Sequence, residues 1–311
     1  MTMFKPGLVH TPITPFLRDQ GVDYETYARI IDFHLQHGAD ALALPMPEGE
    51  DLSLTDGEQR KLLEFAIGQV AGRAPVIAHV SDAGTALAVS RAEQAEKAGA
   101  AAIISHHPYF WHPKPAMVLE HLVRIGAAVG VPFFVCNPPV ETAGTPLTTE
   151  ITLQLIERLP NLAGVVDSSF DWVFMAEALS NGRRLRPEFQ LLPGAEFMVS
   201  AFVLGGGGAF SPLSGIAPRL VRRLHDLCSG EKYVEARPLQ EEIAALHHAV
   251  TEAGLSGLKD GLAGIKETMA AMGRPCGLPR PPVRPLGTTE KERLAHRLSS
   301  MAFLKNEPRG W

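Results

Sequence analysis

Short unbroken apolar runs alternate with amphipathic stretches over most of this chain. The runs fall at residues 7–15, 39–45, 75–79, 100–105, 132–137, 162–169, 189–194 and 206–210. Each is too short for a buried helix and lacks the polar alternation of a half-exposed strand. That pattern predicts parallel strands covered on both faces. Between them, apolar residues recur at helical spacing. Asp23 caps a stretch running through Tyr27, Ile30, Ile31 and Leu35 to Gly38. Thr55 and Glu58 form a capping box ahead of residues 56–72. Further helices are predicted over 85–97, closed by Gly99, and over 117–129, 148–158, 170–179 and 218–227, with Pro218 in the first turn of the last. Eight strand–helix units in residues 7–229 fit a (β/α)8 TIM barrel better than an open doubly wound sheet. From residue 230 the strands stop. Residues 233–253, 258–272 and 289–301 read as helices, with 279–285 as an extended proline-rich connector. The expected organisation is a barrel over 1–229 and a C-terminal helical subdomain over 230–311.

Composition narrows the functional classes. In 311 residues, 45% are hydrophobic and 20% charged, enough to bury a large core. A net charge of −5 with scattered Lys and Arg argues against a nucleic-acid partner. No apolar stretch has the length of a membrane span or a signal peptide. Cys136, Cys228 and Cys276 are odd in number and far apart, which makes a reducing cytoplasm the expected compartment.

Seven segments, in order and spread along the chain, carry a resemblance. They are Thr11–Phe16 (TPITPF), Gly49-Glu50 with the Leu-Ser-Leu-Thr run at 52–55, Pro75-Val-Ile-Ala, Pro108-Tyr109-Phe110, Asn137-Pro138-Pro139, Gly164-Val-Val-Asp-Ser-Ser and the glycine-rich stretch 205–211. Together they resemble the dihydrodipicolinate synthase / N-acetylneuraminate lyase family. The resemblance implies a TIM barrel, a homodimer or homotetramer, and class I aldolase chemistry on a small molecule. There, a strand-six lysine forms a Schiff base with a 2-oxo acid, and a strand-five tyrosine relays protons.

Matched residue by residue, that equipment is replaced. Val166 stands where the family has its lysine, Cys136 where it has the tyrosine, and Pro47-Glu48 where it has a Thr-Thr pair. Glu141 takes the place of a carboxylate-binding arginine. Phe110 takes that of the tyrosine that enters a neighbouring subunit's site, while Tyr109 is kept. Gly264-Ile265-Lys266 spells the Schiff-base tripeptide, but its helix-forming flanks make Lys266 a structural residue. The resemblance places Pro47, Glu48, Tyr109, Phe110, Cys136, Asn137, Glu141, Val166 and Phe210 in the substrate pocket.

The chemistry left at the strand ends is acidic and imidazole-rich. Glu48, His79, His107 and Cys136 are candidate catalytic groups, with Glu48 and a histidine as an acid–base pair. Glu48, His79, His106, Asp167 and Glu196 are the types that could ligate a divalent metal, although no metal-binding spacing occurs and no cofactor is expected. Alternation along a strand lets only one of His106 and His107 face inward. Gly205–Gly208 lacks phosphate-loop spacing and reads as close packing, and His247-His248 as surface or packing residues. Two functions stay open: a lyase-type enzyme without a Schiff-base lysine, acting by acid–base or metal-assisted chemistry, and a non-catalytic binding protein on the same barrel.

Overall fold

The computed structural model describes residues 3–139, 145–194, 197–251 and 261–311. Eight parallel strands form one sheet: β1 (Leu8–His10), β2 (Ala41–Leu44), β3 (Val76–His79), β4 (Ala102–His106), β5 (Phe133–Asn137), β6 (Leu162–Asp167), β7 (Gln190–Pro193) and β8 (Ala209–Ser211). Their order is β7-β6-β5-β4-β3-β2-β1-β8. Gly207 N–H donates to Leu191 O at 3.1 Å and draws the two ends together. The result is a nearly closed TIM barrel, as the apolar runs imply.

Alternation along the strands divides two cores. Val9, Ala41, Ala43, Ile77, Ile104, Phe134, Val166, Leu192 and Phe210 fill the lumen. Leu8, Leu42, Leu44, Ile103, Val135 and Val165 face the surrounding helices. Gly164 on β6 has a backbone reason: a Cβ there would lie 2.6 Å from Gln190 O on β7.

Helices α1 (Tyr24–Gln36), α2 (Asp56–Val70), α3 (Thr85–Ala98), α4 (Pro115–Ala127), α5 (Thr149–Arg158) and α6 (Trp172–Leu185) cover the outside. The Thr55/Glu58 capping box is formed, and Gly99 closes α3 in the left-handed region at φ 96°. The helix expected at 170–179 instead starts later and runs longer. Asp171 caps it by accepting from Phe174 N–H at 3.0 Å, and Phe170 stays outside at φ 59°. The short α7 (Met198–Val203) was not foreseen from the sequence. It is followed by α8 (Pro218–Ser229), α9 (Tyr233–Thr251), α10 (Gly261–Ala271) and α11 (Thr288–Ser300). The predicted start at residue 258 lies outside the described residues. No helix among the described residues is long and apolar enough to cross a membrane.

The C-terminal segment is tied to the barrel by buried polar contacts. Arg274 donates to the carbonyls of Gly215 and Ile216 at 3.1 Å each and to Pro308 O at 2.5 Å. Gly277, at φ 75°, presses so close to Phe16 that a Cβ would fall 2.0 Å from its carbonyl oxygen. Lys266 is the only buried lysine among the described residues. Its Nζ meets Glu50 Oε1 at 2.5 Å, lies over the Phe16 ring and donates to Leu278 O.

Candidate functional site

At the C-terminal ends of the strands, the mouth of the barrel is floored by apolar side chains. Cys136, Val166 and Phe210 are buried lumen residues from β5, β6 and β8. Val166 is in register with Cys136 on one side and Leu192 on the other. Burial, with Asp167 and Glu48 nearby, pushes the Cys136 thiol far above its ordinary value, so it is a neutral thiol and a poor nucleophile.

Above this floor lies the loop after β2. Two short 3-10 turns, Pro47–Gly49 and Asp51–Ser53, meet at Glu50, which takes a left-handed φ of 58°. Thr14 Oγ1 donates to Gly49 O at 2.6 Å and fixes the turn. Pro47 is exposed, whereas Glu48 is half-buried. Burial, reinforced by the charge of Asp51, raises the Glu48 carboxyl from 4.5 to about 7. It is therefore poised to hold or release a proton near neutral pH.

His79 and His106 share the lumen side. His79 follows Ile77 by two residues on β3, and His106 follows Ile104 by two on β4, beside Cys136. Their rings meet edge to face with centroids 5.0 Å apart. Burial holds His79 below the usual imidazole value and His106 well below it, so each is neutral at pH 7. His107 turns the other way, correcting its candidacy as a chamber base. It is buried on the helix side of β4, with no hydrogen bond to either ring nitrogen among the described residues.

Asp167 also faces away from the lumen, by the same alternation. Its carboxylate accepts from Asn137 Nδ2 at 2.7 Å and Ser169 Oγ at 2.9 Å, while burial raises it to about 6. Asn137 completes the link by accepting from Leu147 N–H at 3.2 Å. Both residues brace the β5–β6 lip from behind. Tyr109 is half-buried, and Phe110 is 97% exposed at φ 82°. Glu141 and Glu196 lie outside the described residues. Among the described residues no three His, Cys, Asp or Glu side chains converge to hold a metal ion, so Glu48, His79, His106 and Asp167 do not form a ligand set. Two participants escaped the sequence reading: Asp51 and Ser81, which flank His79. A Ser two residues after a strand-end His is the only signal that could have drawn attention to either.

The model of the dihydrodipicolinate synthetase family matches residues 5–301. A 4-hydroxy-tetrahydrodipicolinate synthase from Caldicellulosiruptor bescii is 31% identical over 294 residues, covering 94% of this chain and 95% of that protein. One from Bartonella bacilliformis is 29% identical, covering 96% and 99%. Among solved structures, a putative dihydrodipicolinate synthetase from Pseudomonas aeruginosa superposes with a TM-score of 0.86 at 28% identity, covering 97% and 100%. A prophage protein of the same family from E. coli K12, solved in complex with pyruvate, gives 0.89 at 23% identity, covering 96% and 99%.

Proposed function

The chain belongs to the dihydrodipicolinate synthetase family, and from that membership we propose a lyase-type enzyme that acts on a small molecule without a Schiff-base lysine. One observation carries the reading. The lumen position at the end of β6 is Val166, flanked by Cys136 and Leu192, while the nearby acid, Glu48, keeps its proton up to about pH 7. A valine cannot form an imine, and the buried lysine Lys266 is engaged by Glu50. What remains is acid–base work, with Glu48 delivering or recovering a proton. The site residues named above include no Lys or Arg, so among them a 2-oxo acid carboxylate finds no cation to pair with. A neutral, polyhydroxylated ligand fits better. The same segment that carries Phe110 is proposed to seat against a second copy of the chain, making a homodimer or homotetramer.

Borohydride reduction in the presence of pyruvate, read by intact mass, tests the first half of this reading, and no covalent adduct is expected. A thermal-shift screen of polyols and sugar acids against pyruvate tests the second half. Stabilisation by polyols that weakens in Glu48→Gln supports it. A pyruvate adduct on any lysine overturns it, and stabilisation by polyols that Glu48→Gln leaves unchanged favours the non-catalytic binding reading.

A further inference from the structure

The lumen-side imidazoles are not equivalent. Ser81 Oγ lies 2.6 Å from His79 Nε2 and also accepts the backbone N–H of His106 at 2.7 Å. On the far side of the ring, His79 Nδ1 is 3.5 Å from Asp51 Oδ2. A carboxylate can only accept, so Nδ1, which faces Asp51, carries the ring proton, and Nε2 is left to accept the Ser81 hydroxyl. The Ser81 carbonyl is gripped in turn by Arg91, which also pairs with Asp82 at 2.9 Å and Asp56 at 2.6 Å. Both nitrogens of His79 are thus engaged.

The His106 ring is different. Its residue is half-buried, and neither ring nitrogen makes a hydrogen bond among the described residues, yet it packs edge to face on His79 and stands beside Cys136. The Asp51–His79–Ser81 chain resembles a hydrolytic triad. However, Ser81 is only 3% exposed and its oxygen is held by two groups, so it is built as a support rather than a nucleophile.

We propose that His106 is the second acid–base group of the chamber alongside Glu48, and that Asp51, His79 and Ser81 are positioning residues that fix its ring and its strand end. This rests on the acid–base reading above. It also assigns the chemistry: a neutral imidazole and a protonated carboxyl can exchange protons with hydroxyl or carbon acids without placing net charge in the mouth. Asp51 fixes His79, Ser81 couples His79 to β4, and of the two lumen-side imidazoles only His106 has ring nitrogens without a hydrogen bond among the described residues.

The test reads the histidines themselves and needs no substrate. Under limiting diethyl pyrocarbonate at about pH 7, the His106 peptide is expected to be modified roughly tenfold faster than the His79 peptide, as a buried hydrogen bond protects the latter. Nitrogen-15 spectra should show His79 as the Nδ1–H tautomer. Ser81→Ala, and the isosteric Asp51→Asn, should shift that tautomer balance and narrow the rate gap to about threefold. Equal modification of His79 and His106 in the wild type would overturn the proposal, as would a His79 tautomer unmoved in both variants. Neither result bears on Glu48 or on imine trapping, so failure here is separable from failure of the functional reading.

Discussion

Lys266 Nζ stands 2.5 Å from Glu50 Oε1 with both side chains withdrawn from solvent, so a C-terminal helix is locked to the turn that carries Glu48. Glu50 Oε2 also accepts the Arg280 N–H at 2.8 Å. The tripeptide around Lys266 that imitates a Schiff-base motif is therefore a clamp, as its helical flanks suggest.

Removing one partner of this pair leaves a buried charge uncompensated. Lys266→Met is expected to lower unfolding free energy by about 3–5 kcal/mol, whereas the double variant Lys266→Met/Glu50→Gln should recover a good part of it. Urea denaturation of the single and double variants measures both. A single-variant loss under about 1 kcal/mol would show that the pair is solvated in solution.

Glu48 makes stability depend on pH in a defined direction. Its carboxyl titrates near 7 in the fold against an ordinary 4.5, so the unfolded chain ionises first as pH rises. The penalty is absent below the unfolded value, grows between the two, and is complete above 7. Glu48→Gln cannot ionise, so it should match the wild type near pH 4 and exceed it by on the order of 2 kcal/mol near pH 8. Equal differences at both pH values, read from urea midpoints, would mean that Glu48 ionises freely.

Much of this was legible in the sequence, and the gaps have physical causes. Parallel strands buried on both faces leave continuous apolar runs, and Thr55 with Glu58 marks the start of α2 in the chain itself. Side-chain facing is harder. His106 and His107 are indistinguishable until Ile104 is known to face the lumen. Asp167 is a plausible ligand until its bond to Asn137, thirty residues earlier, turns it into a brace. Asp51 and Ser81 meet His79 only because two strand ends and a loop converge, which no local pattern records.

Asp167→Ala should strip Asn137 Nδ2 of its buried acceptor and destabilise the protein by about 1–3 kcal/mol. The thermal melt should shift down with no change in the Glu48-dependent pH profile. An unchanged melting temperature would place that lip in water.

Phe110 is 97% exposed in a left-handed conformation at φ 82°, beside the exposed Trp111. Light scattering at micromolar concentration is expected to give a dimer or tetramer. Phe110→Glu should shift the population toward monomer, because a charge would be buried in the proposed contact. A monomeric wild type would remove that contact from the proposal.

Val166 has one more consequence, which concerns what an amine placed at its position would meet. The Cys136 thiol, its register neighbour, feels the charge of Glu48, so an ammonium at position 166 would share that field. It would draw the proton off Glu48, and the acid and the amine would neutralise each other's purpose. The proposed acid–base chemistry and an imine chemistry are thus alternatives rather than layers, and Val166→Lys alone should yield an ion pair with Glu48 instead of an aldolase.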